Sequence, residues 1–485
     1  MSPAPGTQIK LRDTPVPASI PTDTTTWFVT GISEKGPLTP IRVRSVSEFE
    51  HYFGLRVSYG ILWDCVDTFF REGGTSVYVS RVVGPGATSG FKNLLDGVAA
   101  TSLIVTAIGP GAYSSTQVFV GVVAGTIGGT YQIVITDGTN ILEQSGDLTT
   151  QIDAVQWALL SSDYVRIAVG GSALIPVVAA PAALSAGNDD RANITETQWT
   201  NALNLFTTGY GPGQVSAPGR TTDIAHTTLL AHAQANRRVA ILDLVDTATA
   251  ATLKTAVVNC RVGNQRYGAA FTPWVQVSGI VPGTLRTLPP SPFVAGMISK
   301  NELEKGPNSP SAGNNGISHT AIGLSQPPFT EGAGGTREDL NNNGINVIMK
   351  RPSGLIETFG WRSIVNAVTD PNWINFGNVR LYMAIASDAD QIAETFVFRV
   401  IDGKGQTISE FNGALVGMLM LYYQQGGLYG LSADLAFNVD TGAQVNTPLT
   451  ISNNELHAVL NVKMSPFAEF VVIEIVKTPI TLEVI

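Results

Sequence analysis

Acidic and histidine side chains come close together at one place in the sequence. Asp223, His226 and His232 fall on or next to a helix predicted near residues 224–237. Side chains on one helix face are three or four residues apart, whereas His226 and His232 are six positions apart. The two histidines are therefore not aligned for a shared metal ion. We expect a solvated helix face here and no metal site.

Two carboxylates lie at the end of an apolar run. Asp243 and Asp246 belong to the segment Arg238-Val-Ala-Ile-Leu-Asp-Leu-Val and the residue that follows it. Ligands of α/β enzymes bind beyond the carboxyl ends of parallel strands, so both carboxylates are candidates for cofactor binding. No glycine-rich fingerprint accompanies them. We therefore expect only a polar strand terminus.

Two further segments partly match known motifs. Residues 339–344, Asp-Leu-Asn-Asn-Asn-Gly, fit the opening of a calcium-binding loop, but the position of its bidentate glutamate is occupied by Lys350. We expect an Asn-Gly turn that leads into a strand. Gly403-Lys404 lacks the other residues of a phosphate-binding loop, and neither GxSxG nor HExxH occurs. The sequence thus predicts no catalytic residue, no metal and no cofactor.

The composition indicates a soluble protein with much neutral surface. The chain has 485 residues, enough for roughly three domains. Only 14% of its residues are charged, against about 25% in typical soluble proteins, which suits a protein that buries surface against its own copies. The net charge of −9 argues against nucleic-acid binding. Cys65 and Cys260 are expected to be reduced thiols, and we expect neither a signal peptide nor a membrane helix.

The order of apolar, polar and turn-forming segments predicts a mixed α/β fold with a small β domain inserted in it. Helix–strand alternation from residue 195 predicts parallel strands. The predicted division is an extended N-terminal arm at 1–26, the first part of an α/β domain at 27–86, the inserted β-rich domain at 87–190, the second part of the α/β domain at 191–344, a C-terminal α/β domain at 345–478 and a C-terminal arm at 479–485.

The second half of the chain contains the longest predicted helices. The Gly, Pro, Ser and Asn content of residues 299–335 predicts a loop. A long helix is predicted near 387–402 and an apolar helix near 409–424. Residues 433–440 and 456–485 are predicted to be the closing strands.

The last residues of the sequence alternate between apolar and polar side chains, which is typical of a strand. Pro479 divides this run, so we expect residues 466–478 to complete the subunit's own domain and residues 479–485 to pair with another chain. Burial of an apolar side chain gains about 1.5–3 kcal/mol, and ordering a residue costs roughly 1–2 kcal/mol. One donated strand is therefore close to energetic balance. The residues predicted to contact the neighbour are Ile480, Leu482, Val484 and Ile485.

Several segments, in the same order along the chain, resemble those of contractile tail sheath proteins of bacteriophages and phage-tail-like particles. They are Thr30-Gly-Ile-Ser-Glu-Lys-Gly-Pro, Phe69-Phe-Arg-Glu-Gly-Gly-Thr-Ser-Val-Tyr-Val, Ala107-Ile-Gly-Pro-Gly-Ala-Tyr, Arg237-Arg-Val-Ala-Ile-Leu-Asp, Phe271-Thr-Pro-Trp, Leu288-Pro-Pro-Ser-Pro-Phe-Val-Ala-Gly, Leu340-Asn-Asn-Asn-Gly-Ile-Asn, Gly360-Trp-Arg-Ser, Asn378-Val-Arg-Leu and Pro466-Phe-Ala-Glu-Phe. Two positions depart from the family pattern: Arg380 is a single arginine where the family has two, and Ser363 stands in place of threonine.

The resemblance implies a structural role in a larger assembly. Sheath subunits form stacked hexameric rings around a tail tube, exchange terminal strands with neighbours, and contract to drive the tube through a cell envelope. It also implies a virion-tail location, assembly in the host cytoplasm, and contact with tail tube, baseplate and tail terminator proteins. Neither enzymatic activity nor direct contact with nucleic acid or membrane is implied.

Charged residues of the C-terminal domain are candidates for contact with the tube or with another subunit. They are Arg380, Arg399 and Lys404. Surface solvation and internal salt bridges are the alternatives for each of them. For the whole chain, the alternatives are another self-assembling shell protein, such as a capsid or surface-layer subunit, and an α/β enzyme.

Overall fold

The computed structural model describes residues 23–469 apart from residue 280 and residues 331–333, and it confirms the predicted mixed α/β fold. In chain order the strands of this part are β1 (Trp27–Gly31), β2 (Ile41–Val43), β3 (Val77–Arg81), β4 (Phe91–Leu95), β5 (Thr101–Ala107), β6 (Phe119–Ala124), β7 (Tyr131–Thr136), β8 (Ile141–Gln144), β9 (Val165–Val169), β10 (Ala179–Ala183), β11 (Gly213–Ser216), β12 (Arg238–Asp243), β13 (Gly268–Thr272), β14 (Val275–Ser278), β15 (Leu285–Leu288), β16 (Gly323–Leu324), β17 (Ile345–Lys350), β18 (Ile356–Phe359), β19 (Phe437–Asp440) and β20 (Val459–Val462). The helices are α1 (Val46–Phe53), α2 (Leu62–Arg71), α3 (Ala112–Gln117), α4 (Gln151–Ser161), α5 (Glu196–Asn204), α6 (Asp223–Ala235), α7 (Ala250–Asn259), α8 (Ser291–Lys305), α9 (Thr336–Asn342), α10 (Phe376–Glu394), α11 (Gln406–Gln424), α12 (Ala433–Ala436) and α13 (Pro448–Ser452).

An eight-stranded sheet is the largest element of the fold, with the order β18-β17-β13-β12-β11-β1-β3-β2. The six strands from β17 to β3 are parallel, and the two edge strands are antiparallel to their neighbours. Every residue of β1, β11, β12 and β13 is buried, as expected for strands covered on both faces.

The helix–strand–helix–strand order predicted from residue 195 onward is confirmed. Helix α6 begins after Thr222, whose hydroxyl accepts a hydrogen bond from the Ala225 N–H, a standard N-terminal cap. Strands β12 and β13 then lie parallel, with Ala240 opposite Gly268. Helix α7 connects these two strands and returns the chain to the same end of the sheet, so that β12 and β13 run parallel.

Strands β4 to β10 form two antiparallel sheets, β4-β5-β9 and β10-β6-β7-β8. Their inward side chains share one apolar cluster, which includes Leu103, Val120 and Ile133. Helix α4 contributes Ala154 and Ala158 to this cluster. It begins with a capping box between Thr150 and Asp153, which satisfies two of its free N–H groups.

The described chain divides into two compact units, Asp23–Met383 and the residues from Ala384 onward. In the second unit, helix α11 packs on β19, which pairs with β20 in antiparallel orientation. The hydroxyl of Tyr422 on α11 donates a 2.7 Å hydrogen bond to Asp388 Oδ2. None of the described helices has the combination of length and apolar composition needed for a membrane span.

Three predicted boundaries are wrong. The helix predicted near 387–402 is α10, Phe376–Glu394, because the β-branched and aromatic residues 396–400 favour helix less than the segment before them does. Helix α8 extends to Lys305, inside the predicted loop, because residues 301–305 favour helix and Gly306, with φ of +89°, ends it. Residues 433–436 form a helical turn before β19.

Candidate functional site

The predicted C-terminal arm lies outside the described residues. This applies to Ile480, Leu482, Val484 and Ile485, and also to residues 1–22 of the predicted N-terminal arm. The described chain begins at Asp23 and enters β1 four residues later. The arm assignments therefore remain predictions. A surface that could accept an added strand is described below for the residues that the structure covers.

The second unit offers a short sheet as an acceptor. Among the described residues, β19 and β20 form a two-stranded sheet with Phe437 opposite Val462. The Nδ2 of Asn412 on α11 donates to the Val439 carbonyl at 3.1 Å, so the outer edge of β19 has a side-chain partner. Strand β20 pairs with no described strand other than β19. An isolated two-stranded sheet is marginally stable, and its free edge can accept another strand.

Apolar side chains are exposed beside this edge. Val459 lies on β20 itself and is 45% exposed. Tyr429 is exposed too, and its N–H donates to the Lys463 carbonyl, just beyond the end of β20. A backbone edge together with apolar side chains is what β-strand addition requires. We call β20 and Tyr429 the acceptor edge; the segment 463–465 is excluded from it, because that segment already pairs with residues 427–429.

Arg380 does not have the position predicted for a tube-facing charge. It is 4% exposed and forms a buried ion pair with Glu302. Its Nη1 also donates to Gln214 Oε1 at 3.2 Å. Burial raises the pKa of Glu302, and the adjacent guanidinium of Arg380 opposes that rise. Internal salt bridging, the alternative left open by the sequence, is therefore the role that the structure gives Arg380.

Arg399 and Lys404 lie in the connection between α10 and α11, where their side chains are accessible. Arg399 pairs with Glu410 at 2.6 Å, and both side chains are more than 40% exposed. Lys404 is exposed, and its backbone N–H donates to the Asp402 carboxylate, as do the first two N–H groups of α11. These hydrogen bonds lower the pKa of Asp402 to about 2. Both cations remain candidates for contact with another molecule.

The connection between α10 and α11 also carries an apolar surface that the sequence interpretation missed. Val397, Phe398 and Val400 are exposed, and Phe398 has a left-handed backbone with φ of +64°. A bulky residue in that conformation is rare. The signal in the sequence is the run Phe-Val-Phe-Arg-Val at 396–400, which was included in the predicted helix. Exposed apolar clusters of this kind are typical of interaction surfaces.

The predicted helix face of Asp223, His226 and His232 is not solvated where the histidines lie. Both histidines are buried. The Nε2 of His226 is 2.9 Å from the Asp243 carbonyl oxygen, and the Nε2 of His232 accepts from Arg238. Each imidazole therefore has a structural partner inside the sheet layer. Among the described residues, no group of three potential ligands could hold a metal ion.

Asp243 has a structural role at the end of β12. Its two carboxylate oxygens accept hydrogen bonds from the Ser291 N–H, the Ser291 hydroxyl and the Gly219 N–H, at 2.7–3.1 Å. Burial raises the pKa of Asp243 to about 6. Asp246 accepts instead from the Ser325 hydroxyl and the Thr247 N–H. Both carboxylates serve local structure, as expected for a polar strand terminus.

The calcium-like segment folds as a helix end and a turn. Asp339 lies on α9, where its carboxylate contacts Lys254 Nζ at 2.6 Å. The chain turns at Asn343 and Gly344, which has φ of +76°, and β17 begins at Ile345. The predicted Asn-Gly turn leading into a strand is confirmed.

No protein-family model matches the chain, and no curated protein matches it either. Solved structures do match it. The sheath tail protein from Listeria innocua has a TM-score of 0.62 at 12% sequence identity, with 91% of each chain covered. The contracted sheath complex of the extracellular contractile injection system PVC has a TM-score of 0.57 at 16% identity, covering 99% of this chain and 98% of that one.

A third match is the contracted helical sheath of the anti-feeding prophage, with a TM-score of 0.56, 16% identity, and coverage of 99% of this chain and 100% of that chain. These similarities show that the chain has the fold of contractile tail sheath proteins. The predicted fold class is therefore confirmed, and in its fold the chain is similar to contractile tail sheath proteins.

Proposed function

We propose that the chain is the structural subunit of a contractile tail sheath. Copies assemble as stacked hexameric rings around a tail tube, and contraction of the sheath drives the tube through a host cell envelope. The observation that carries this proposal is the match over nearly the full length of both chains to the contracted sheath of the anti-feeding prophage. Every part of the chain then has a counterpart in a sheath subunit.

The acceptor edge supports an exchange of strands between neighbours. Residues 479–485 of one copy add to β20 of another, and the apolar side chains of Ile480, Leu482 and Val484 lie on one face of the added strand. Each such contact is weak alone, but a closed ring requires all of them to break together. Residues 1–22 of the predicted N-terminal arm take part in the same exchange, whereas Thr24, Thr25 and Thr26 are buried in the chain's own fold.

The division of the chain assigns a role to each part. Residues 27–86 and 191–383 form the α/β sheath domain, and residues 87–190 form the β domain inserted in it. The predicted boundary at 344/345 moves to 383/384, because β17 and β18 lie in the eight-stranded sheet. Residues 384–478 face the tube, with Arg399 and Lys404 as candidate contacts. The remaining partners are the baseplate and tail terminator proteins. The subunit assembles in the host cytoplasm and resides in the tail, with no enzymatic activity and no contact with nucleic acid or membrane.

Electron microscopy of the purified full-length chain tests the assembly. Hollow tubes or stacked rings are expected. A monodisperse monomer at high concentration in polymerising salt, or one that carries a bound cofactor, would instead favour an α/β enzyme. Closed icosahedral particles or flat lattices would favour a capsid or a surface-layer protein.

The strand exchange has its own matched test. Deletion of residues 479–485, or the pair Ile480→Ser and Leu482→Ser, should give folded subunits that do not polymerise. The control pair Thr481→Ser and Glu483→Gln changes the opposite face of the same strand, and it should still polymerise. Normal tubes from the deletion variant would refute the arm assignment while leaving the sheath assignment intact.

A further inference from the structure

A group of buried polar residues lies between α8, α10, β11 and the start of the described chain. Its members are the Thr25 backbone and the side chains of Gln214, Ser299, Glu302 and Arg380, which we call the polar node. Gln214 and Ser299 are fully buried, and Thr25 and Arg380 nearly so. Polar groups with no access to water are retained in a fold only when their hydrogen bonds are satisfied.

Gln214 connects the two sides of the polar node. Its Nε2 donates to the Thr25 carbonyl at 3.1 Å and to the Ala295 carbonyl at 2.9 Å. Its Oε1 accepts from Arg380 at 3.2 Å. The Ser299 hydroxyl donates to the same Thr25 carbonyl at 2.5 Å. One amide thus joins the start of the described chain to α10.

The two joined residues lie near the two ends of the Asp23–Met383 unit. Thr25 is two residues from its first residue, and Arg380, on α10, is three residues from its last. The polar node therefore joins the two ends of this compact unit.

We propose that the polar node couples the two ends of the Asp23–Met383 unit mechanically. A displacement of the chain at Thr25 is transmitted through Gln214 and Arg380 to α10, and the reverse also holds. The physical reason is that moving one member leaves the others buried without partners, which is costly. The members therefore open together. This coupling is a property of the single chain and does not depend on the sheath assignment.

Hydrogen exchange followed by mass spectrometry on the full-length chain, under non-polymerising conditions, tests the coupling. In Gln214→Leu, segments 23–28 and 376–383 should both exchange about tenfold faster than in the wild type. The segment 238–243 of β12 serves as an internal reference and should not change. Acceleration of only one of the first two segments, of neither, or of β12 by an equal factor would overturn the proposal.

A milder variant removes the risk of unfolding. Ser299→Ala affects the Thr25 side of the node, since Ser299 bonds Thr25 and Gln214. If the node couples the two ends of the unit, segment 376–383 exchanges faster by the same factor as segment 23–28. Faster exchange confined to segment 23–28 contradicts the coupling. The control is Asn301→Leu, a buried amide on the same helix that bonds Ser311 and Asn315. It should change neither segment by more than about twofold, and a larger change in both would contradict the special role of the node.

Discussion

The guanidinium of Arg238 donates a 2.9 Å hydrogen bond to Nε2 of His232, and both side chains are buried. Three backbone carbonyls also accept from Arg238, and its guanidinium carbon lies 3.7 Å from the centre of the Phe28 ring. An arginine can only donate, so His232 must be neutral and accept at Nε2. Burial and the positive charge of Arg238 lower the pKa of His232 to about 3.

His232 should make the fold sensitive to acid. Because its pKa is lower in the folded state than in the unfolded state, its contribution is complete above about pH 6.5 and is lost as the pH falls toward 3. Between pH 7 and pH 5 the wild type should lose about 2 kcal/mol of unfolding free energy through this residue. His232→Gln keeps an acceptor for Arg238. Its unfolding free energy should fall by about 2 kcal/mol less than that of the wild type between the two pH values, as measured by urea unfolding.

The control for this measurement is His457→Gln. His457 is exposed and contacts Glu455. The variant therefore replaces a histidine that has no buried cation beside it. Equal acid sensitivity of wild type and His232→Gln, after comparison with this control, would contradict the role of the Arg238–His232 contact.

Asp243 should have the opposite pH dependence. Its pKa is raised to about 6, so its stabilising contribution is complete below about pH 4 and is lost as the pH rises through 6. We expect Asp243→Asn to gain stability relative to wild type between pH 4.5 and pH 7, by about 2 kcal/mol. Urea unfolding at the two pH values measures this gain. The control is Asp246→Asn, which replaces a nearby, half-buried carboxylate. If the unfolding free energy of Asp243→Asn changes with pH in parallel with that of the wild type, the prediction is refuted.

The two ion-paired arginines predicted as surface contacts should differ strongly in their effect on stability. Arg380→Met leaves Glu302 buried and unpaired, which should cost about 3–5 kcal/mol. Arg399→Met removes an exposed pair with Glu410 and should cost less than about 1 kcal/mol. Thermal unfolding measures both. The double variant Arg380→Met with Glu302→Leu should recover most of the loss, and failure to recover would show that the charge of Glu302 is not the cause.

The β-rich segment should depend on its own apolar cluster. Ile133→Ala on β7 removes buried methyl groups from that cluster and should cost about 2–5 kcal/mol. Ile127→Ala, six residues earlier and 65% exposed, should change stability by less than about 0.5 kcal/mol. Limited proteolysis of residues 87–190 provides the measurement. Similar protease sensitivity of both variants would show that the cluster does not hold this segment together.

Local patterns were sufficient for much of the fold. The apolar run Arg238–Asp243 placed β12, and the helix predicted near residues 224–237 is α6, Asp223–Ala235. Both were placed within a few residues, because they depend on neighbours in sequence. The end of α10 was misplaced, because residues 396–400 are apolar enough to continue a helical pattern. Their exposure, and the left-handed backbone of Phe398, became evident only in the structure.

Taken alone, the sequence determined the fold class, the family resemblance and the lack of catalytic motifs, since these follow from periodicity, turn residues and the order of motifs. Only the tertiary structure decided what individual charged and polar side chains do. Arg380, His232 and Asp243 all appeared as candidates for surface or ligand contact. Each is buried with a partner far away in sequence or on another element, and the energy of a buried charge depends on that partner rather than on its neighbours in the chain.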